Sequence, residues 1–220
     1  MLKKLKKGYL QQMFPQEGEC VPKVRFKGFT KDWEARKLDD IAIFRRGSFP
    51  QPYGNPEWYD KDQGMPFVQV VDVNDDLHLV NDTKQKISKK AQPKSVFVPV
   101  GKVIVTLQGS IGRVAITQYP AYVDRTILIF EEYQMKINVI YWAYIIQEKF
   151  NIEKRTAPGG TIKTITKEVL SDFEVVLPSF EEQTAISNFL RNIDEQITTQ
   201  KVKLENLKLL KTAYLQKIFV

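Results

Sequence analysis

Residues 2–14 read LKKLKKGYLQQMF, and residues 207–219 read LKLLKTAYLQKIF. At a constant offset of 205, Leu2, Lys3, Leu5, Lys6, Tyr9, Leu10, Gln11 and Phe14 meet Leu207, Lys208, Leu210, Lys211, Tyr214, Leu215, Gln216 and Phe219, eight identities in thirteen positions. Two unrelated Lys/Leu-rich helices share composition, but they do not share a Tyr-Leu-Gln-x-x-Phe step in register. A unit that ends as it begins reads as one period of a tandem repeat. The second copy closes a long helix. Stepping alternately by four and three from Ile186 gives Leu190, Ile193, Ile197, Gln200, Leu204, Leu207, Lys211, Tyr214 and Ile218, eight of ten positions apolar. That is heptad spacing over more than four heptads, with Gln200 and Lys211 as polar seam positions of the kind that fix register. Pro178-Ser179 supplies the start signal, with Ser179 as N-cap and Glu182 three residues on, and neither Gly nor Pro follows Glu181. Such a stripe needs a partner, either the terminal helix of the same chain or a second copy.

Between these ends the texture changes. Pro15 to Gly28 reads as a linker, Trp33 to Ile43 as a short helix or strand, and the Gly/Pro-rich stretch from Gly47 to Gly64 as a long loop. Val/Ile-rich runs follow at Pro66–Val73, Ser95–Val100, Lys102–Leu107, Ile111–Thr117 and Ala121–Phe130, punctuated by Gly101, Gly109, Gly112 and Pro120. Val139 to Phe150 (VIYWAYIIQEKF) reads as a buried helix, Pro158-Gly159-Gly160 as a sharp loop, Thr164–Leu170 as a short helix and Phe173–Leu177 as a last strand. The fold class expected is α+β. A domain over residues 15–178 carries an irregular mixed β-sheet. A long coiled-coil-forming helix follows it over 179–220, and a short matching helix precedes it over 1–14.

Composition narrows the chemistry. Lys plus Arg outnumber Asp plus Glu by 33 to 26, a net charge of +7 that favours a polyanionic partner. Cys20 and His78 are the sole residues of their types, which removes an internal disulfide, thiolate zinc clusters and multi-histidine metal sites and leaves His78, beside Asp75-Asp76, as a loop residue rather than a catalytic one. No apolar run reaches the ~20 residues of a membrane span, and the basic N-terminus lacks the apolar core of a signal peptide, so a cytoplasmic location is expected.

In this order the elements resemble the specificity subunit of type I restriction-modification systems. The residues carrying the resemblance are Trp33-x4-Leu38-x2-Ile41, Pro66-Phe67-Val68 with Asp72-Val73, and Gly101-Lys102-Val103-Ile104-Val105-Thr106 with Gly109-Ser110-Ile111-Gly112. To these add Gly159-Gly160-Thr161-Ile162 with Leu170-x6-Leu177-Pro178, then Glu182-Gln183-x2-Ile186, Phe189-Leu190-x2-Ile193-Asp194 and the terminal helix. The ordered set is specific although no single motif is, and it covers essentially the whole chain. The resemblance implies a target recognition domain that reads double-stranded DNA and has no catalysis of its own. Modification subunits then methylate adenine with S-adenosylmethionine, and restriction subunits use ATP to translocate and cut. Members usually hold two recognition domains and two spacers in about twice this length. One domain with the tail of one spacer before it and a full spacer after it therefore implies a homodimer, in which Leu2, Leu5 and Tyr9 of one copy meet the long helix of the other. The seam residues expected there are Ile186, Leu190, Ile193, Ile197, Leu204, Leu207 and Tyr214. Pairing of the two helices within one chain is the alternative arrangement.

Motifs for chemistry are weak. Asn55-Pro56-Glu57-Trp58 has Glu where an adenine methyltransferase has its second Pro, and no Gly-rich cofactor loop precedes it. Asp72 with Asp82-Thr83-Lys84 is a loose match to a metal nuclease, and Gly159-Gly160-Thr161 lacks phosphate-loop spacing. DNA reading instead needs cations for phosphates and bidentate Arg, Gln or Asn for base edges. The candidates are Arg45 and Arg46 before the long loop, Gln69 on the early strand, Gln108, Ser110 and Arg113 around the Gly109/Gly112 turn, and Lys154, Arg155, Thr161 and Lys163 around the Gly159-Gly160 loop. A competing reading makes the chain an adaptor that assembles partners through its long helix without reading DNA.

Overall fold

Val103-Ile-Val-Thr106 and Ile127-Leu-Ile-Phe130 show no polar alternation, because both faces of the sheet they form are covered. Their odd and even positions go to different cores. Val103, Val105, Leu128 and Phe130 face the helices, whereas Ile104, Ile127 and Ile129 face a second sheet. The structure, a computed structural model of the chain, describes residues 1–16, 18–156 and 170–218, the side chains of 154–156 and 217–218 excepted.

The chain runs from α1 (Leu2–Met13) through an irregular linker to β1 (Glu34–Lys37), the single turn α2 (Leu38–Ile41) and β2 (Ala42–Arg46). The strands β3 (Met65–Val68), β4 (Gln85–Ile87), β5 (Val96–Val98), β6 (Val103–Thr106), β7 (Val114–Ile116), β8 (Ala121–Val123) and β9 (Ile127–Tyr133) follow. Then come α3 (Val139–Thr156), β10 (Glu174–Leu177) and α4 (Phe180–Ile218). One antiparallel sheet has the order β2-β9-β6-β7. A mixed sheet has the order β4-β3-β8-β5, with β3 parallel to β8, and β1 pairs with β10. The α+β class expected from the sequence is the one observed. The run 121–130 is two strands rather than one, split by a turn at 124–126, and the run 66–73 is the strand β3 followed by a 3-10 turn at Val70–Asp72. The short helix expected from Thr164 lies outside the described residues but for its end at Leu170.

Nearly every side of α3 is buried from Tyr141 to Ile146. Trp142 meets Phe130 edge-on at 5.3 Å, and Tyr141 stacks on Phe14 at 5.5 Å. Asn138 caps this helix by accepting from the N–H groups of Ile140 and Tyr141, both at 3.1 Å. Ser179 caps α4, accepting from the Glu182 N–H at 3.3 Å. The Glu182 carboxylate does not fold back on that cap. It is buried and receives Arg25 through Nε at 2.9 Å and through a terminal nitrogen at 2.8 Å, together with the Trp33 indole N–H at 3.1 Å. This fork ties the linker to the start of α4. Arg25→Ala leaves that carboxylate buried without its cation, and a loss of about 3 kcal/mol is expected. Urea unfolding with an unchanged m-value reads it; a shift under about 1 kcal/mol would show that the fork is dispensable.

Candidate nucleic-acid interface

Strand pairing brings three separate segments to one end of the helix-covered sheet. Arg46 pairs with Leu128, Leu128 with Val105, and Val105 with Val114. Just beyond that row the Gly47 N–H donates to Ile127 O at 3.0 Å, and the Leu107 N–H donates to Thr126 O at 2.8 Å. The turn from Gln108 to Arg113, the end of β2 and the Asp124-Arg125-Thr126 turn therefore stand side by side. Arg45, Arg46, Gln108, Ser110 and Arg125 are all exposed there.

Local sequence explains each segment. A Cβ on Gly47 would lie 2.2 Å from Val123 O, so only glycine lets the chain pass from one sheet to the other directly after the arginine pair. Gly109 and Gly112 have φ of +63° and +74°, and a Cβ on Gly112 would be 2.6 Å from the Cβ of Phe150. Those two residues close the turn that lifts Gln108 and Ser110 to the surface while Ile111 is buried. Thr106 Oγ1 fastens its base, donating to Ser110 O and accepting from the Arg113 N–H at 3.0 Å.

Arg125 is a member of this face that sequence reasoning missed, because the run 121–130 reads as one strand. The signal was present in Asp124-x-Thr126: Asp124 Oδ1 accepts from the Thr126 N–H at 2.9 Å and from its hydroxyl at 2.5 Å, a side-chain-made turn. The other carboxylate oxygen receives the Tyr53 hydroxyl at 2.7 Å, and Gln69 Nε2 donates to the same hydroxyl at 2.7 Å. Burial first, then the bond to Asp124, holds the Tyr53 hydroxyl far above its usual range, so it stays a neutral donor. Gln69 is thus half-buried behind the Arg125 turn and supports it. Arg113, in contrast to the exposed Gln108, is half-buried. Its guanidinium meets Asp75 at 3.0 Å and donates to Val73 O at 3.3 Å, holding the loop that follows β3. Arg45 makes a loose surface pair with Glu131 at 3.9 Å. The side chains of Lys154 and Arg155, and the whole of Thr161 and Lys163, lie outside the described residues.

The residues considered for catalysis serve as supports. Asp72 is buried, which raises its carboxyl, and accepts from the N–H groups of Gln69 at 2.8 Å and Lys84 at 2.9 Å. Asn55 caps the single turn Pro56–Trp58, accepting from the Glu57 N–H at 3.1 Å. Among the described residues no group of three or more His, Cys, Asp or Glu is placed to hold a metal ion, and no helix is long and apolar enough to cross a membrane.

Away from the exposed arginines, α1 lies antiparallel on the first half of α4 within the same chain, with its Lys7, Leu10 and Gln11 beside Gly112 and Arg113. Lys6 Nζ bonds Asp194 Oδ1 at 2.5 Å, and Tyr9 meets Phe189 edge-on at 4.8 Å. Asp194 also receives the hydroxyl of Tyr144, whose ring lies 4.8 Å from the Lys6 ammonium. Ile186, Leu190 and Ile193 are buried in this junction, Ile197 is half-buried beyond it, and Leu2 and Leu5 sit at its rim. Residues 201–216 of α4 project beyond it with every residue exposed, Leu204, Leu207 and Tyr214 among them.

The architecture, with a mixed-sheet domain at the root of a long helix, is similar to that of solved type I restriction-modification proteins. The HsdS subunit from Thermoanaerobacter tengcongensis superposes with a TM-score of 0.62 at 20% identity, over 92% of this chain and 45% of that one. A chain of a type I R-M system solved for its complex assembly and conformational transition superposes with a TM-score of 0.70 at 20% identity, over 96% and 49%. Residues 30–209 match the model of the type I restriction modification DNA specificity domain, and the chain belongs to that family. In sequence it is 26% identical over 185 residues to the type I restriction enzyme MjaIX specificity subunit of Methanocaldococcus jannaschii, covering 81% of this chain and 41% of that relative. The chain spans about half the length of the curated relatives it matches, 48% and 41% of two of them.

Proposed function

We propose that this chain is a sequence-specific DNA-recognition subunit of a type I restriction-modification complex. It reads double-stranded DNA and directs adenine methylation and restriction by partner subunits, on which S-adenosylmethionine and ATP act, while itself catalysing nothing. Membership of the specificity-domain family carries the reading. Its support in the structure is the exposed row of Arg45, Arg46 and Arg125 beside Gln108 and Ser110, where cations can hold phosphates and a glutamine amide can read adenine. With one recognition domain in the chain, a homodimer supplies two, and the target is then an interrupted palindrome. The work is placed in the cytoplasm, where DNA and the partner subunits are.

The test is titration of the complex with modification subunits against cognate and scrambled duplexes. Gln108→Ala is expected to weaken the cognate duplex by about 1–3 kcal/mol and the scrambled one hardly at all. Full discrimination retained by the Gln108 and Ser110 variants would remove the hairpin tip as reader. Equal binding of both duplexes by the unaltered complex would favour an adaptor role through the exposed part of α4.

A further inference from the structure

The exposed end of α4 repeats the sequence of the helix that α4 already carries on its other half. The residues that hold α1 in its seat are Lys6, Tyr9, Leu10, Met13 and Phe14, which are buried or half-buried there. Their counterparts at the offset of 205 are Lys211, Tyr214, Leu215, Ile218 and Phe219: four are identical and the fifth exchanges Met for Ile. The remaining differences, Lys4 to Leu209, Lys7 to Thr212, Gly8 to Ala213 and Gln12 to Lys217, fall on positions of α1 that are exposed or, for Gly8, have open space where a Cβ would stand. The repeat thus preserves the face that α1 uses, and apart from Met13 to Ile218 every change falls outside it, although Lys3, Leu5 and Gln11 on the exposed side are kept as well.

We infer that residues 207–219 of a second copy can take the seat of α1 on α4, so that α1 and the tail compete for one site. The second copy rests on the homodimer proposed above; the seat itself does not. The register follows from the contacts of α1. Lys6 faces Asp194 and Tyr9 faces Phe189, so Lys211 and Tyr214 of one copy face Asp194 and Phe189 of the other. Applied in both directions, this lays the two α4 helices antiparallel about a two-fold axis near Val202. Ile186 then opposes Ile218, Leu190 opposes Tyr214, Ile193 opposes Lys211, Ile197 opposes Leu207, and Gln200 opposes Leu204. Every seam position of one helix falls on a seam position of the other, the layering an antiparallel coiled coil requires. A slip of one residue would turn the apolar stripe onto a polar face. Lys211 gains Asp194 as the partner for a cation that otherwise sits on an apolar seam.

Competition has a signature that simple dimerisation lacks: paired substitutions act with opposite sign. Sedimentation of the full-length chain over a concentration series is expected to show Tyr9→Ala tightening the dimer and Tyr214→Ala loosening it, each by up to about tenfold, the worth of one aromatic edge contact. Lys6→Ala against Lys211→Ala repeats the comparison at the ion pair with Asp194, leaving the Tyr9–Phe189 contact in place. In a Cys20→Ser background, copies with Ile197→Cys mixed with copies with Leu207→Cys are expected to cross-link as a pair, and neither alone. If Tyr9→Ala loosens the dimer or leaves it unchanged, α1 and the tail do not share a seat and the inference fails. If the chain stays monomeric throughout, a labelled peptide of residues 203–220 decides. Tighter binding to Tyr9→Ala than to the unaltered chain upholds the seat and removes the homodimer, and no binding to either overturns both.

Discussion

Replacing Arg45, Arg46 and Arg125 together by alanine is expected to weaken DNA binding on the order of a hundredfold at about 50 mM salt, and less at about 200 mM, for cognate and scrambled duplexes alike. The three guanidiniums stand at one end of the sheet because Arg46 pairs with Leu128, two residues past the Asp124–Thr126 turn. Removing one phosphate-binding cation should lower the slope of log affinity against log salt by about 0.9, because one counterion fewer leaves the DNA on binding. The Arg45 and Arg125 changes should hardly alter the stability of the fold, since both are surface residues and the Arg45–Glu131 pair at 3.9 Å is too open and solvated to matter. A triple variant with an undiminished salt slope would move the phosphate-binding surface away from this end of the sheet. One that weakened only on the cognate duplex would make these arginines base readers.

Gly112→Val is expected to destabilise the domain by about 2–5 kcal/mol, from left-handed backbone strain of about 1–2 kcal/mol and overpacking of about 1–3 kcal/mol. Its φ of +74° is unfavourable for a β-branched residue, and the new Cβ would sit 2.6 Å from Phe150 Cβ, which α3 cannot move without disturbing the core. Gly101→Val is the internal comparison. There φ is +85° but no atom lies within 4 Å of the added Cβ, so only the backbone strain should appear. Urea midpoints of the two variants separate the terms. Equal losses would mean that α3 yields to Gly112 and that the turn carrying Gln108 is not held by it.

Much of this was legible in the chain. The heptad stripe from Ile186 and the Ser179 cap locate α4, and the terminal repeat announces two helices of one kind. The Val/Ile runs 102–107 and 111–117 mark the hairpin whose glycines shape its tip. These are local signals, each set by periodicity or by a backbone conformation that few residues adopt. The loop that stands beside the hairpin was not legible. Arg125 looked like a residue in the middle of a strand; Asp124-x-Thr126 carries the local turn signal, but the Tyr53 hydroxyl that holds Asp124 in place comes from far away in sequence. Gln69 and Gln108 are alike as sequence, yet one lies half-buried behind the Arg125 turn and the other is exposed at the tip.

The repeat, the seam and the class of fold are written in the chain, because spacing along a helix or strand is a property of neighbouring residues. Which segments share an end of a sheet, and which helix α1 lies on, are settled by folding. Both depend on pairings between residues far apart in the chain: Arg46 with Leu128, Leu107 with Thr126, Lys6 with Asp194. The heptad pattern is satisfied equally by a helix of the same chain or of another. The three-way contact of Lys6, Tyr144 and Asp194 places α1 on its own α4, and the choice was made there because only the folded domain brings Tyr144 to that junction.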